Sequence, residues 1–457
     1  MLLEPDYLLW EDTLRDDLLL EVGPGGVVAG APPKGSTVGV VRKLPGRVLL
    51  PGLVNAHSHA FQRLIRGCTE YVAAGALGDD FWSWRELMYR AAERLTPEDI
   101  YASARQVFIE MARAGITTVG EFHYLHHGPD GTPYADRNLL AREVVRAARD
   151  VGLRVVLLRV AYARAGFQKP ANPRQARFID TSPDAVLDAV ARLRADFAHD
   201  GCVSVGLAPH SVRAVPVEWL RVFAPVSDMP VHMHVAEQPA EVAACLGEHR
   251  LRPVQLLGSV GLLRPNFTAV HGIHLDADEV EALGRAHANV CACPSTERNL
   301  GDGIVPADAL VRAGASLSLG SDSQAHVDLL MEMRQLDGHL RLLRLRRAVL
   351  DPGTGEPSGL ARRLLGMATE GGARSLGLPV GRLRPGAPAD FFTVDLDHPS
   401  LVGVPADRLL AGLVFAVERS AVREVAVAGR FIVEEGQHAQ EEAAGHAFRA
   451  VARRVFA

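Results

Sequence analysis

Between about residue 47 and residue 370 the chain repeats one pattern. Short runs rich in Val, Ile, Leu and Ala end in polar or histidine-bearing residues, and helical stretches with apolar residues every three or four positions follow them. Near-continuous apolar runs read as strands buried on both faces, and the three-to-four spacing reads as helices covering them. The runs are RVLLPGLVNAHSH (47–59), ITTVGEFHY (116–124), LRVVLLRVAY (153–162), VSVGLAPHS (203–211), PVHMHVAE (230–237), NFTAVHGIHL (266–275), NVCACPST (289–296) and SLSLGSDS (316–323). PEDIYASARQVFIEMARAG and SPDAVLDAVARLRADFAH are typical of the helical stretches between them. Eight such units predict an α/β chain folded as a (β/α)8 barrel. A doubly wound open sheet is the rival, but it usually carries a Gly-rich phosphate loop, and none is found here.

The two ends break the pattern. Residues 1–50 and 378–435 hold short β-like pieces and turns, such as VGPGGVVAGAPPKGS and VREVAVAGRFIVEEG, and neither is large enough to fold alone. They are expected to pair into one small β-sandwich domain beside a catalytic barrel spanning 51–377. The tail, 436–457, reads as a closing amphipathic helix.

Composition narrows the function classes. With 457 residues, 48% hydrophobic, 23% charged and a net charge of -5, the chain reads as a soluble globular protein with no nucleic-acid partner. No apolar stretch is long enough to span a membrane, and the acidic start MLLEPDYLLWEDTLRDD is unlike a signal peptide. Five cysteines, with no CxxC, read as reduced thiols in a cytoplasm. Only three of the 49 basic residues are lysines: Lys34, Lys43 and Lys169.

Barrel enzymes place their chemistry at the C-terminal ends of the strands. Strand one ends in His57 and His59, two residues apart and so on one face of an extended chain. Glu121, His123 and Tyr124 end strand two, His210 ends strand four with Arg213 beyond, and His232, His234 and Glu237 end strand five. His271 and His274 end strand six, and Asp322 ends strand eight. His57, His59, His234 and Asp322 make a donor set for one divalent ion. His234 is preferred to His232 because the segment after it can turn Glu237 over the metal, while His232 lies deeper and reads as a core histidine. No lysine stands at a strand end to bridge a second metal, so the site is expected to hold a single ion.

PGLVNAHSH at strand one, HVAE at strand five, AVHG at strand six, SDS at strand eight and the trailing GRLRPGAPADF resemble the amidohydrolase superfamily, in its mononuclear zinc deaminase branch. More narrowly, FWSWRELMY (81–89), GEFHYLHHGPDG (120–131), APHSVRAV (208–215), HVAEQPAEV (234–242) and CPSTERNLGDG (293–303) are similar to the N-formimino-L-glutamate deiminase family of histidine degradation. The resemblance implies hydrolytic deamination of a formimino group with one divalent ion, Zn2+ being the expectation. Asp322 would take the proton of the attacking water, Glu237 would protonate the departing nitrogen, and His271 would stabilise the developing charge. A small dicarboxylate substrate calls for cationic donors, for which Arg213 and Arg85 are the candidates, with Gln62, Tyr124 and His210 completing the hydrogen bonding. A homodimer is the family expectation. The alternatives are a deaminase of the same branch acting on a nucleobase or adenosine derivative, and a barrel that has lost catalysis.

Overall fold

The computed structural model describes residues 1–36, 39–72 and 81–456. Its core is a ring of eight parallel strands. They are β1 (Leu53–Ser58), β2 (Ile116–His123), β3 (Arg154–Ala161), β4 (Val203–Pro209), β5 (Val231–Val235), β6 (Phe267–His271), β7 (Asn289–Ala292) and β8 (Ser316–Leu319). Each pairs with the next in chain order. Every residue of β1, β2 and β3 is buried, because side chains fill the ring inside and helices cover it outside.

The ring closes at its polar end. Ser58 and Asp322 form a parallel bridge. The His59 N–H donates to the Asp322 carbonyl at 3.1 Å and the Asp322 N–H to the His57 carbonyl at 3.0 Å. Gly320 permits this contact: a Cβ there would lie 2.8 Å from the Cβ of His57. The two terminal strands of the ring therefore meet backbone to backbone where the histidines sit.

The run RVLLPGLVNAHSH, read from the sequence as one strand, is two. Val41–Pro51 belongs to a second sheet, Gly52 interrupts, and β1 begins at Leu53. A Cβ on Gly52 would fall 2.2 Å from the Thr117 hydroxyl, so the chain passes from one sheet to the other where only hydrogen fits.

In that second sheet Val41–Pro51 pairs parallel with Leu2–Trp10 and antiparallel with Phe391–Asp395, which joins the two chain ends in one layer. Val422–Val427 and Arg430–Val433 extend it. Leu3, Leu8, Leu20, Leu49 and Phe391 give the sheet a core separate from the barrel's. A helix, Leu409–Phe415, stands in a stretch that the sequence suggested was strand and turn; Leu409, Leu410, Leu413 and Val414 bury one helical face. The last helix, Glu441–Phe456, is tied to the barrel by an Arg454–Asp99 ion pair and by Arg94 donating to the Val455 carbonyl at 2.7 Å. Among the described residues no helix is long and apolar enough to cross a membrane.

Candidate active site

His57, His59, His234 and Asp322 come together at the C-terminal mouth of the ring, all buried. The His57 and His59 Nε2 atoms are 3.1 Å apart, His59 and His234 Nε2 3.4 Å, and His234 and His57 Nε2 3.2 Å. Asp322 Oδ1 lies 3.3 Å from His57 Nε2 and 3.2 Å from His59 Nε2. A tetrahedral ion with ligands at 2.0–2.1 Å separates its donor atoms by roughly 3.3–3.4 Å. The cluster therefore has the spacing that one small divalent ion requires.

Protonation fits as well. His59 Nδ1 donates to the Phe122 carbonyl at 2.9 Å and His234 Nδ1 to the His210 carbonyl at 3.0 Å. With the proton fixed on Nδ1, each Nε2 lone pair is free to face the centre. Burial drives the His57 pKa down to about 3 and holds His234 well below its ordinary value, so both rings are neutral. Burial opposes ionisation of Asp322, yet His57 and His59 hold its carboxyl well below the usual range. Neutral imidazoles around an ionised carboxylate suit a cation.

The neighbouring polar side chains hold this cluster in place. Glu121 accepts from the Ser58 hydroxyl and from the Ala60 N–H, both at 2.6 Å, and so clamps the turn that carries His59. Burial raises its pKa to about 7. Gln324 donates to the Ser58 hydroxyl and to the Asp322 carbonyl, both at 2.9 Å, stitching the eighth strand's loop to the first strand. Asp322 and His271 both take positive φ, 44° and 70°, as does Ala236 at 51° just before Glu237. Non-glycine residues pay strain in that region, and three of them border this one centre.

Glu237 and His271 stand beside the donors. His271 Nε2 lies 3.7 Å from Glu237 Oε1 and 3.8 Å from Asp322 Oδ2, too far for hydrogen bonds. The opposite ring nitrogen, Nδ1, is 3.3 Å from Glu297 Oε1, which also accepts from the Cys293 N–H at 2.8 Å. Glu297 thereby turns Nε2 toward Glu237 and Asp322. Burial would lower the His271 pKa, but Glu237, Glu297 and Asp322 outweigh it and raise the group well above its ordinary value.

A cavity runs outward from this centre, and all five candidate substrate residues, Gln62, Arg85, Tyr124, His210 and Arg213, line it. Gln62 donates to the Tyr124 hydroxyl at 2.7 Å. His210 packs its ring on Tyr162, with centroids 4.6 Å apart. Arg213 is not a free cation: its Nε is 3.1 Å from Glu241 Oε2 and its Nη2 is 3.4 Å from Glu237 Oε2. Arg85 stacks over Trp82 with its Cζ 4.5 Å from the ring centroid. His232 points away, donating to the Ser375 carbonyl at 2.8 Å. His126, His127 and His274 likewise bond to carbonyls, of Val160, Ile179 and Asp302. A larger cleft of about 380 Å³ lies between Leu9, Arg362 and Arg382, and contains none of these residues.

Sequence reasoning passed over several residues of the cavity. Beside the expected Arg85, helix α1 (Phe81–Glu93) presents Phe81, Trp84, Met88 and Tyr89 to it. The three-to-four spacing inside FWSWRELMY is the signal that could have revealed that face. Tyr162 and Phe178 in the wall, and Glu241 and Glu297 beside Arg213 and His271, carry no such mark in the linear chain.

A barrel with three imidazoles and a carboxylate converging at its strand ends defines a class: an α/β-barrel hydrolase with a group of side chains suited to a metal ion. The chain belongs to the amidohydrolase family, whose model matches residues 48–432. Over 431 residues it is 42% identical to the formimidoylglutamate deiminase of Pseudomonas aeruginosa, covering 94% of this chain and 93% of that one. It is 32% identical over 443 residues to a 5-methylthioadenosine/S-adenosylhomocysteine deaminase of Halobacterium salinarum, covering 94% and 90%. The crystal structure of an amidohydrolase from Brucella melitensis superposes with a TM-score of 0.92 at 34% identity, over 100% of both chains. The protein is a hydrolase acting on carbon–nitrogen bonds.

Proposed function

We propose that the chain hydrolyses N-formimino-L-glutamate to N-formyl-L-glutamate and ammonia, as a step of histidine degradation. The observation that carries this reading is a cavity with His59, His234, Asp322 and Glu237 at one end, the rest of the donor cluster and His271 packed against them, and two arginines on its wall. The name of the Pseudomonas aeruginosa relative supports it. His57, His59, His234 and Asp322 would hold one divalent ion, zinc. When bound, such an ion supplies a nucleophilic hydroxide at neutral pH by lowering the pKa of water from 15.7 to about 7.

The remaining chemistry falls to side chains. Asp322 Oδ2, 3.8 Å from His271 Nε2, accepts the proton lost by the nucleophile. Glu237 Oε1 carries a proton to the imino nitrogen, which leaves as ammonia. His271 Nε2, held by Glu297 through the opposite ring nitrogen, hydrogen-bonds the oxygen that gains charge at the formimino carbon. Arg213, steadied by Glu241, and Arg85 hold the carboxylates, and Gln62, Tyr124 and His210 border the chain between them. The same reading carries a cytoplasmic homodimer. Its cysteines at 68, 202, 245, 291 and 293 are unpaired, as a reducing compartment would keep them, and ultracentrifugation tests the assembly.

One observation favours a second reading. Phe81, Trp84, Tyr89, Tyr124, Tyr162 and Phe178 line the cavity, and such walls also suit a flat ring like a nucleobase. The test is ammonia release by the purified holoenzyme from N-formimino-L-glutamate against a panel of nucleobases and adenosine derivatives, with N-formylglutamate identified directly. Turnover confined to a ring substrate replaces the first reading by the second.

A further inference from the structure

The loop that follows β3 sends one buried amide, Gln175, to the back of the cavity wall, where the reaction described above gives it no part. Gln175 is 2% exposed. Its orientation is set by the backbone: Oε1 accepts from the Asn172 N–H at 3.2 Å, so the nitrogen faces the other way. There Nε2 lies 2.9 Å from the Tyr89 hydroxyl and 2.9 Å from the Tyr162 hydroxyl. An amide nitrogen has two hydrogens and accepts nothing, so both phenols are acceptors in these bonds.

Each phenol still owns a hydrogen. Even if one hydroxyl gives its hydrogen to the other, the second keeps one to donate. Among the described residues at least one O–H is therefore uncommitted, on side chains only 4% and 5% exposed. Tyr124 differs, because its hydroxyl accepts from Gln62 and donates to Met88 Sδ at 3.6 Å. Leaving a buried donor unused is costly, and the space in front of these rings is the cavity shared with Arg85 and Arg213. Arg85 Cζ is 5.4 Å from the centroid of the Tyr89 ring. A spare neutral donor beside two guanidinium groups, one already shared with Glu241, matches an incoming anion with several lone pairs.

We infer that Tyr89 and Tyr162, oriented by Gln175, form a neutral-donor subsite for one carboxylate of the substrate. Gln175 is a positioning residue: it ties Tyr89 of α1 to Tyr162, the residue that follows β3. This rests on the dicarboxylate reading above and adds to it the donors that complete one end.

The test compares holoenzyme variants on three substrates: N-formimino-L-glutamate, N-formimino-γ-aminobutyrate, which lacks the α-carboxylate, and N-formimino-L-2-aminobutyrate, which lacks the side-chain carboxylate. The double variant Tyr89→Phe/Tyr162→Phe keeps the ring shapes. It should raise KM for the dicarboxylate by about 10- to 100-fold with a much smaller change in kcat. The penalty should persist on one monocarboxylate and vanish on the other. Gln175→Glu should give a comparable rise, since its carboxylate would capture the phenolic hydrogens and repel the substrate. Metal content and thermal midpoint of each variant report folding separately. An unchanged KM in the double variant, or an equal rise on both monocarboxylates, overturns the subsite while leaving the dicarboxylate reading intact. A wild-type enzyme that turns over none of the three overturns both.

Discussion

The two ends of the cavity are built differently. The donor end rests on strand termini and is locked by main chain: carbonyls of Phe122 and His210 fix two imidazoles, and the ring closes through the backbone of His57, His59 and Asp322. The recognition end rests on α1 and on loops, and its links run from side chain to side chain, as in Gln62 to Tyr124 or Gln175 to two tyrosines. Positioning an ion to tenths of an ångström demands elements that cannot shift. Choosing a substrate demands a surface that can be rebuilt without disturbing the chemistry, and loops offer that. The contrast predicts that changes at the first end abolish turnover and changes at the second redirect it.

The sharpest break should come from Asp322→Ala, which removes the one carboxylate donor and leaves three imidazoles. Metal per chain should fall below roughly one tenth, with kcat down by at least about 10⁴-fold. Full metal occupancy in that variant, read by elemental analysis, would move Asp322 out of the donor set. Glu237→Gln should keep the metal and lose about 10²- to 10⁴-fold in kcat, because only proton transfer is removed. An inactive protein that is also metal-free would instead make Glu237 a donor.

At the recognition end Arg213→Met should raise KM for the dicarboxylate by about 10- to 100-fold, with little change for a truncated formimino amine. Equal effects on both would mean that Arg213 only braces Glu237 and Glu241. The smallest effect belongs to neither end. Glu332 is buried behind the seventh strand, accepts from the Ser295 N–H at 2.8 Å, and has its pKa pushed up to about 8 by burial. A carboxyl whose folded value lies above its unfolded one stabilises fully below the unfolded value of 4.5 and loses that contribution as pH rises toward 8. Glu332→Gln should therefore flatten the fall in thermal midpoint between those limits by roughly 2–4 °C. A parallel decline in both proteins would remove Glu332 from the account.

Much of the barrel could be read from the chain alone, since apolar runs at regular intervals are a local signal. The same regularity hid the break at Gly52, because both sides of it are equally apolar and only the approach of Thr117 distinguishes them. His57, His59, His234 and Asp322 could be picked out because each ends a strand, and strand ends of a barrel share one mouth. The bracing roles of Glu121, Gln324 and Glu297 could not be read: their partners are 63, 266 and 26 residues away. The face of α1 lay open in FWSWRELMY, whereas Gln175 sits in a loop whose course no periodicity describes.

The linear order of side chains determined that eight strands alternate with helices and that polar groups gather where those strands end, because periodicity and strand termination are properties of neighbouring residues. Tertiary structure decided the distances between the donors, the tautomers of His59 and His234, the pairing of Arg213 with two acids and the spare hydrogen of the paired tyrosines. Each of these depends on atoms brought together from distant parts of the chain, and burial then makes an exact partner worth more than it would be in water.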